Sequence, residues 1–134
     1  MLVRESASVF HLGDHGTTLG GNPLVAAAAL ATLRVIEEED LMGNARAMGT
    51  RLAGRLRALP QVTEVRGRGL MIGVETAGPI ARATMAFARD EHQLLVNATG
   101  ETTLRIVPPL TITADEVDEA VGRLGAALAQ AAEA

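Results

Sequence analysis

The chain has 134 residues, of which 48% are apolar and 21% charged, and its formal net charge is −4. That is about one domain's worth of chain with a globular rather than a disordered composition. Twelve scattered basic residues in an acidic chain with two phenylalanines make neither a basic stripe nor a base-stacking platform, which argues against nucleic acid as a partner.

Every basic residue is an arginine, and neither lysine nor cysteine occurs. Disulfides, thiolate chemistry and cysteine metal sites are therefore excluded, and any step that needs a lysine amine is closed to this polypeptide. The first ten residues have no apolar stretch of signal-peptide length. The longest apolar run, residues 24 to 33, is too short and too interrupted to span a bilayer, so no membrane partner is expected and the cytoplasm is the default location.

Residues 1 to 22 form a short Val/Phe-containing segment followed by a glycine-rich loop, Asp14-His15-Gly16-Thr17-Thr18-Leu19-Gly20-Gly21. Asn22 then suits the N-cap of a helix, with Pro23 at the first helical position, where its missing N–H costs nothing. The helix should run to about Glu38. Its first half is apolar on every side, so it requires burial against another domain or subunit.

From Asp40 to Leu59 the residues Leu41, Ala45, Met48, Leu52 and Leu56 recur at three- and four-residue steps with arginines between them, predicting an amphipathic helix that Pro60 ends. Two strand-like runs, 62–66 and 70–75, follow around Gly67-Arg68-Gly69. A hairpin or a bulged bend is expected there. Residues 79 to 92 pattern as a helix, and 94–97 and 104–107 as two more strands. Thr113-Ala-Asp-Glu116 is a capping box opening a last helix, which carries Val117, Val121, Leu124 and Leu128. The order predicts an α+β fold: a small, mostly antiparallel sheet with helices on one face.

Few motifs carry chemistry. Gly16 and Gly21 match the outer glycines of a Walker phosphate loop, but Asn22 and Pro23 replace its Lys and Ser/Thr, which excludes a nucleotide triphosphatase of that type. Glycine N–H groups, the hydroxyls of Thr17 and Thr18 and a following helix N-terminus still make either an anion site suited to phosphate or a plain helix entry. Gly67, Gly69 and Gly73 miss the dinucleotide-binding spacing by one residue. His11, His15 and His92 lack metal-ligand spacing, so no metal site is expected. Arg105, in mid-strand before Pro108-Pro109, either offers a bidentate fork to a carboxylate or sits on the solvated side of an edge strand. Glu37-Glu38-Glu39-Asp40 is a solvated acidic turn.

Taken in order, HGTTLGGNPL, RGRGLMIGVE and LLVNATGETTLRIVPPLTIT resemble the C-terminal part of the class III pyridoxal-phosphate aminotransferases, most closely their acetylornithine branch. The resemblance covers essentially the whole chain. It implies that residues 1–38 are the end of a large cofactor domain and 39–134 the small C-terminal domain of a fold-type I transferase, which in this family assembles as a homodimer. It also implies that Thr18 binds the cofactor phosphate and that Thr17 and Arg105 bind substrate. Leu19 departs from the family, which usually has an aromatic residue there, as does Val25-Ala26 in place of Ala-Cys.

The implied reaction moves an amino group from N-acetylornithine to 2-oxoglutarate, giving glutamate, in arginine biosynthesis. Ornithine, succinylornithine and 4-aminobutyrate aminotransferases share much of the layout and stay open as alternatives. The Schiff-base lysine is absent, so no catalytic residue is assigned, and the chain is expected to be an inactive piece that contributes its loop to a site completed by another polypeptide. A stand-alone module docking through residues 23–36 is the competing expectation.

Overall fold

The computed structural model describes residues 4–9, 11, 13–14 and 16–134. The chain divides into two compact units, Met1–Val35 and Ile36–Ala134.

Val3, Phe10, Leu12 and His15 of the expected N-terminal segment lie outside the described residues. A short 3-10 turn occupies Glu5–Ala7, and helix α1 spans Pro23–Glu38. Asn22 caps α1 as expected: its Oδ1 accepts from the Val25 N–H at 3.0 Å, while its Nδ2 donates to the Leu19 carbonyl at 2.7 Å, tying the loop to the helix entry. None of the α1 residues is buried, and Leu24, Val25, Leu30 and Leu33 are each at least half exposed.

In the second unit, α2 (Leu41–Leu56) is followed by strands β1 (Val62–Arg68) and β2 (Met71–Thr76), helix α3 (Ala81–Asp90), strands β3 (Asn97–Ala98) and β4 (Thr103–Ile106), and helix α4 (Ala114–Glu133). The four strands form one antiparallel sheet in the order β1-β2-β4-β3. Strand alternation sorts its faces. Val65, Ile72, Val74 and Leu104 are buried, and with Leu52 and Leu56 of α2 and Val117, Val121, Leu124 and Leu128 of α4 they form the core. The helices thus cover one face, as the α+β expectation required. Arg51 binds both carboxylate oxygens of Asp118, at 3.0 and 2.6 Å, pinning α2 to α4. That fork, assisted by Arg55, holds the Asp118 carboxyl below the usual carboxylate range.

The capping box at α4 is present, with Thr113 and Glu116 bonded reciprocally. Three expectations need correction. Asp40 precedes α2 rather than opening it: it adopts a left-handed backbone (φ 45°) and its side chain accepts from the Gly43 N–H. Residues 94–96 are not in the ladder, because Gln93 turns the chain with φ 51° and the Leu94 N–H closes the end of α3 on the Ala88 carbonyl at 2.8 Å. The third strand therefore shrinks to Asn97–Ala98. Finally, β4 is an interior strand between β2 and β3.

The β1–β2 connection is a two-residue hairpin loop, Gly69-Leu70, with positive φ (55°) at its first position, as type II′ turns require. This loop lies directly on α2. A Cβ placed on Gly49 would stand 2.2 Å from the Gly69 carbonyl oxygen, so helix and hairpin meet backbone to backbone.

Candidate functional site

The glycine loop of the first unit is exposed at Gly16, Thr17, Thr18 and Leu19. Among the described residues neither Thr17 nor Thr18 hydroxyl makes a hydrogen bond within the chain. Two glycines shape the loop. Gly21 has φ 75°, a left-handed conformation that favours glycine, and at Gly20 the loop closes on the Thr17 side chain. At the start of α1 Pro23 has no N–H and those of Val25 and Ala26 are bonded to Asn22, so the Leu24 N–H and the adjacent hydroxyls are the donors left for an anion such as phosphate.

In the second unit the uncovered face of the sheet carries the polar residues. The register sets Arg66, Gly73, Arg105 and Asn97 side by side across all four strands, with Glu64, Glu75 and Thr103 in the next row. Arg105 is exposed there, on an interior strand rather than the edge strand considered from sequence.

Glu64 and Glu75 face each other directly, a like-charge pair that would repel. Arg66 resolves the repulsion: its Nη2 donates to Glu75 Oε1 at 2.5 Å and its Nη1 lies 3.7 Å from Glu64. Thr103 Oγ1 donates to the same Glu75 oxygen at 2.8 Å. Arg66 first and Thr103 second hold the Glu75 carboxyl below the usual range. Arg66 is thus engaged by its own glutamates, whereas Arg46, Arg68 and Arg105 have no ion-pair partner among the described residues.

These four arginines line one open cleft of roughly 900 Å³ at the hairpin end of the uncovered face, and no Asp or Glu lines it. Met42, Met71 and Val107 add apolar surface to its walls and are more than half exposed. A chain with net charge −4 therefore gathers around this cleft three arginines, Arg46, Arg68 and Arg105, that have no ion pair among the described residues, beside Arg66, which Glu75 and Glu64 neutralise. Such a concentration focuses positive potential on whatever enters. Periodicity pointed to Arg105 alone; Arg46 lay in a helix pattern and Arg68 in a bend, and only the meeting of α2 with the hairpin joins them.

Thr17 and Thr18 belong to the first unit and Arg105 to the second, so the expected site residues fall into two separately described groups. Among the described residues no set of three or more His, Asp and Glu side chains could hold a metal ion, and no helix is long and apolar enough to cross a membrane.

The model of the aminotransferase class-III family matches residues 2–128, and the chain belongs to that family. Among its relatives are the acetylornithine aminotransferase of Corynebacterium efficiens, 47% identical over 94% of this chain and 31% of that protein, and the ornithine aminotransferase of an Exiguobacterium species, 43% identical over 96% and 32%. The acetylornithine aminotransferase of Elizabethkingia anophelis has a similar solved structure, with TM-score 0.76 and 30% identity over 90% of this chain and 33% of that one. The Toxoplasma gondii ornithine aminotransferase, described with pyridoxal phosphate partially occupying its active site, gives TM-score 0.77 at 32% identity over 92% and 31%. The chain spans about a third of the length of the curated relatives it matches.

Proposed function

We propose that this chain contributes the phosphate loop and the small domain of an acetylornithine aminotransferase, with residues 1–38 belonging to the large cofactor domain and 39–134 forming the small one. On this reading the Schiff-base lysine lies outside these 134 residues, and the complete enzyme, in a homodimeric arrangement, transfers an amino group from N-acetylornithine to 2-oxoglutarate. The observation that carries the proposal is Arg105, held on an interior strand of the uncovered face, facing a cleft with no carboxylate of its own.

Pyridoxal phosphate, when bound, supplies the electron sink for moving an amino group. The residues present fit part of it: the Thr18 hydroxyl and the Leu24 N–H at the start of α1 are donors suited to the phosphate, and Thr17 would face the substrate side. The chain holds no lysine and offers no amine for the cofactor aldehyde. Arg105 orients a substrate carboxylate through its two parallel N–H donors. That bidentate geometry serves discrimination as well as affinity.

The test joins the chain to the lysine-bearing portion of the Corynebacterium efficiens relative and follows glutamate formation from N-acetylornithine and 2-oxoglutarate, with ornithine, succinylornithine and 4-aminobutyrate as competing donors. Activity is expected from the assembled pair and none from the chain alone. Arg105→Gln should raise KM for the acid roughly tenfold to a hundredfold, the worth of a lost charged hydrogen-bond pair, and Thr18→Val should weaken cofactor retention. An assembled complex that takes up cofactor without transaminating any donor would refute the proposal.

A further inference from the structure

Arg105 has a neighbour of different chemistry on its other side. Asn97 of β3 is its register partner, and both side chains are exposed on the uncovered face. The Thr99 N–H donates to the Thr103 carbonyl at 2.9 Å. By the alternation of an antiparallel ladder, Asn97 and Arg105 are then also a hydrogen-bonded pair, with Cα atoms about 5.5 Å apart. The strand is held from α3 as well, where the Met85 sulfur accepts from the Ala98 N–H at 3.5 Å. A strand of only two residues thus presents Asn97 at a set distance from Arg105. Among the described residues the Asn97 carboxamide has no hydrogen-bond partner within the chain.

These two residues line a cleft of roughly 510 Å³ on the β3 side of Arg105, completed by Met71, Leu95, Val96 and Val107, with no Asp or Glu among its lining residues. Leu95 is 85% exposed and Val107 58%. A fixed cation, a free carboxamide and apolar surface therefore stand side by side. That combination matches an N-acyl α-amino acid, in which the carboxylate and the amide nitrogen share one carbon. Arg105 takes the carboxylate with its planar fork, the Asn97 Nδ2 donates to the acyl carbonyl, and the side chains of Leu95 and Val107 offer contact to the acyl methyl. A free amino acid fits worse. It has no acyl oxygen for Nδ2, and its α-ammonium brings a second positive charge beside the guanidinium.

We infer that Asn97 is a specificity-determining residue that recognises the acyl carbonyl of an α-N-acylated amino acid and so separates it from the free amino acid. The inference deepens the proposed function and rests on it for the reaction. The recognition itself follows from the cleft. No bond is made or broken at Asn97: its carboxamide keeps the same protons throughout and acts by binding alone. Such a device discriminates because a donor aimed at a substrate oxygen is left unpaired by a substrate that lacks it.

Two unreactive acids of the same shape test this on the chain itself: N-acetylglycine, and 4-methylpentanoate, which replaces the amide by hydrocarbon. Each is titrated into isotope-labelled chain and followed by the side-chain amide resonances of Asn97 and the Nε–H of Arg105. N-acetylglycine should bind at least about threefold tighter and shift the Nδ2 protons, the worth of one net hydrogen bond. Asn97→Leu should reverse the order of the two acids, and Arg105→Gln should weaken both by roughly tenfold or more. Asn97 is exposed, and circular dichroism checks that each variant keeps its fold. In the enzyme assembled with the lysine-bearing portion of the Corynebacterium efficiens relative, Asn97→Leu should lower the ratio of kcat/KM for N-acetylornithine over ornithine roughly fivefold.

Equal affinity of the parent chain for the two acids, unmoved Asn97 resonances, or an unchanged order in Asn97→Leu would overturn the inference, as would binding indifferent to Arg105→Gln. An assembled enzyme that transaminates with the same donor ratio in variant and parent sinks the role of Asn97 and leaves the aminotransferase proposal intact. A chain that prefers N-acetylglycine through Asn97, in an assembled complex inactive toward every donor, does the reverse.

Discussion

Two alanine substitutions on the same helix should have opposite effects. Gly49 and Gly54 both lie in α2. A Cβ at Gly54 meets nothing within 4 Å, whereas one at Gly49 would stand 2.2, 2.5 and 2.9 Å from the oxygen, carbonyl carbon and Cα of Gly69. Alanine in a helix is worth about 1 kcal/mol over glycine, so Gly54→Ala should stabilise the fold by about that much. At Gly49 the same gain is opposed by a collision with backbone, which cannot rotate away as a side-chain tip can. The hairpin loop must retreat by more than an ångström, at the upper end of the roughly 1–3 kcal/mol that overpacking costs, leaving a net loss of about 2 kcal/mol. In a domain of this size each kcal/mol moves Tm by roughly 4–8 °C, so the two variants should melt well apart, on either side of the parent. Thermal and urea unfolding followed by circular dichroism measures both. If Gly49→Ala is as stable as Gly54→Ala, the backbone contact between α2 and the hairpin does not exist in solution.

Leu56, fully buried in the core, should cost about 2–5 kcal/mol when truncated to alanine, and urea midpoints will show it. Thr113→Ala removes the capping box of α4 and should cost about 1 kcal/mol, a loss that Thr113→Ser largely restores. Asp118, Glu75, Glu116 and Asp90 all have carboxyls held below their ordinary values by their partners. Their ionised forms are favoured by folding, so the contribution is complete above the ordinary carboxylate range and is lost as pH falls through the depressed values. Stability should therefore decline from about pH 4.5 downward, and Asp118→Asn should lower the neutral-pH stability while making that decline shallower. An equal slope in variant and parent would show that Arg51 and Asp118 are not coupled.

Local chemistry carried much of the fold. Asn22-Pro23 and Thr113-Ala-Asp-Glu116 act within four residues, so their side chains meet the backbone groups they cap whatever the rest of the chain does. The strand after α3 was misplaced because Leu94-Leu-Val has strand composition, yet the Leu94 N–H is committed to the end of α3, a choice made by the positive φ at Gln93. Arg105 could be placed on a strand but not on an interior one, since sheet order depends on pairings between distant segments. The residues alone singled out the Thr17–Thr18 loop and Arg105, each with a bland alternative, and the family resemblance supplied the roles expected of them. The wall formed by Arg46 and Arg68 is a product of tertiary contact through two glycines far apart in sequence, and no local signal announces it.

The two-residue strand β3 gives the sheet an uneven edge. On one side β4 is paired along its length with β2; on the other it is held by Asn97 and Ala98 and by the Thr99 N–H, which donates to the Thr103 carbonyl at 2.9 Å. Amide protons should reflect this in their rates of exchange with deuterated water: those of β2 that donate to β4 should persist longest, and those joining β3 to β4 should exchange first, by local fraying rather than global unfolding. Arg105, whose register partners are Gly73 on the firm side and Asn97 on the loose one, thus projects from a strand that can shed one neighbour without losing its own position.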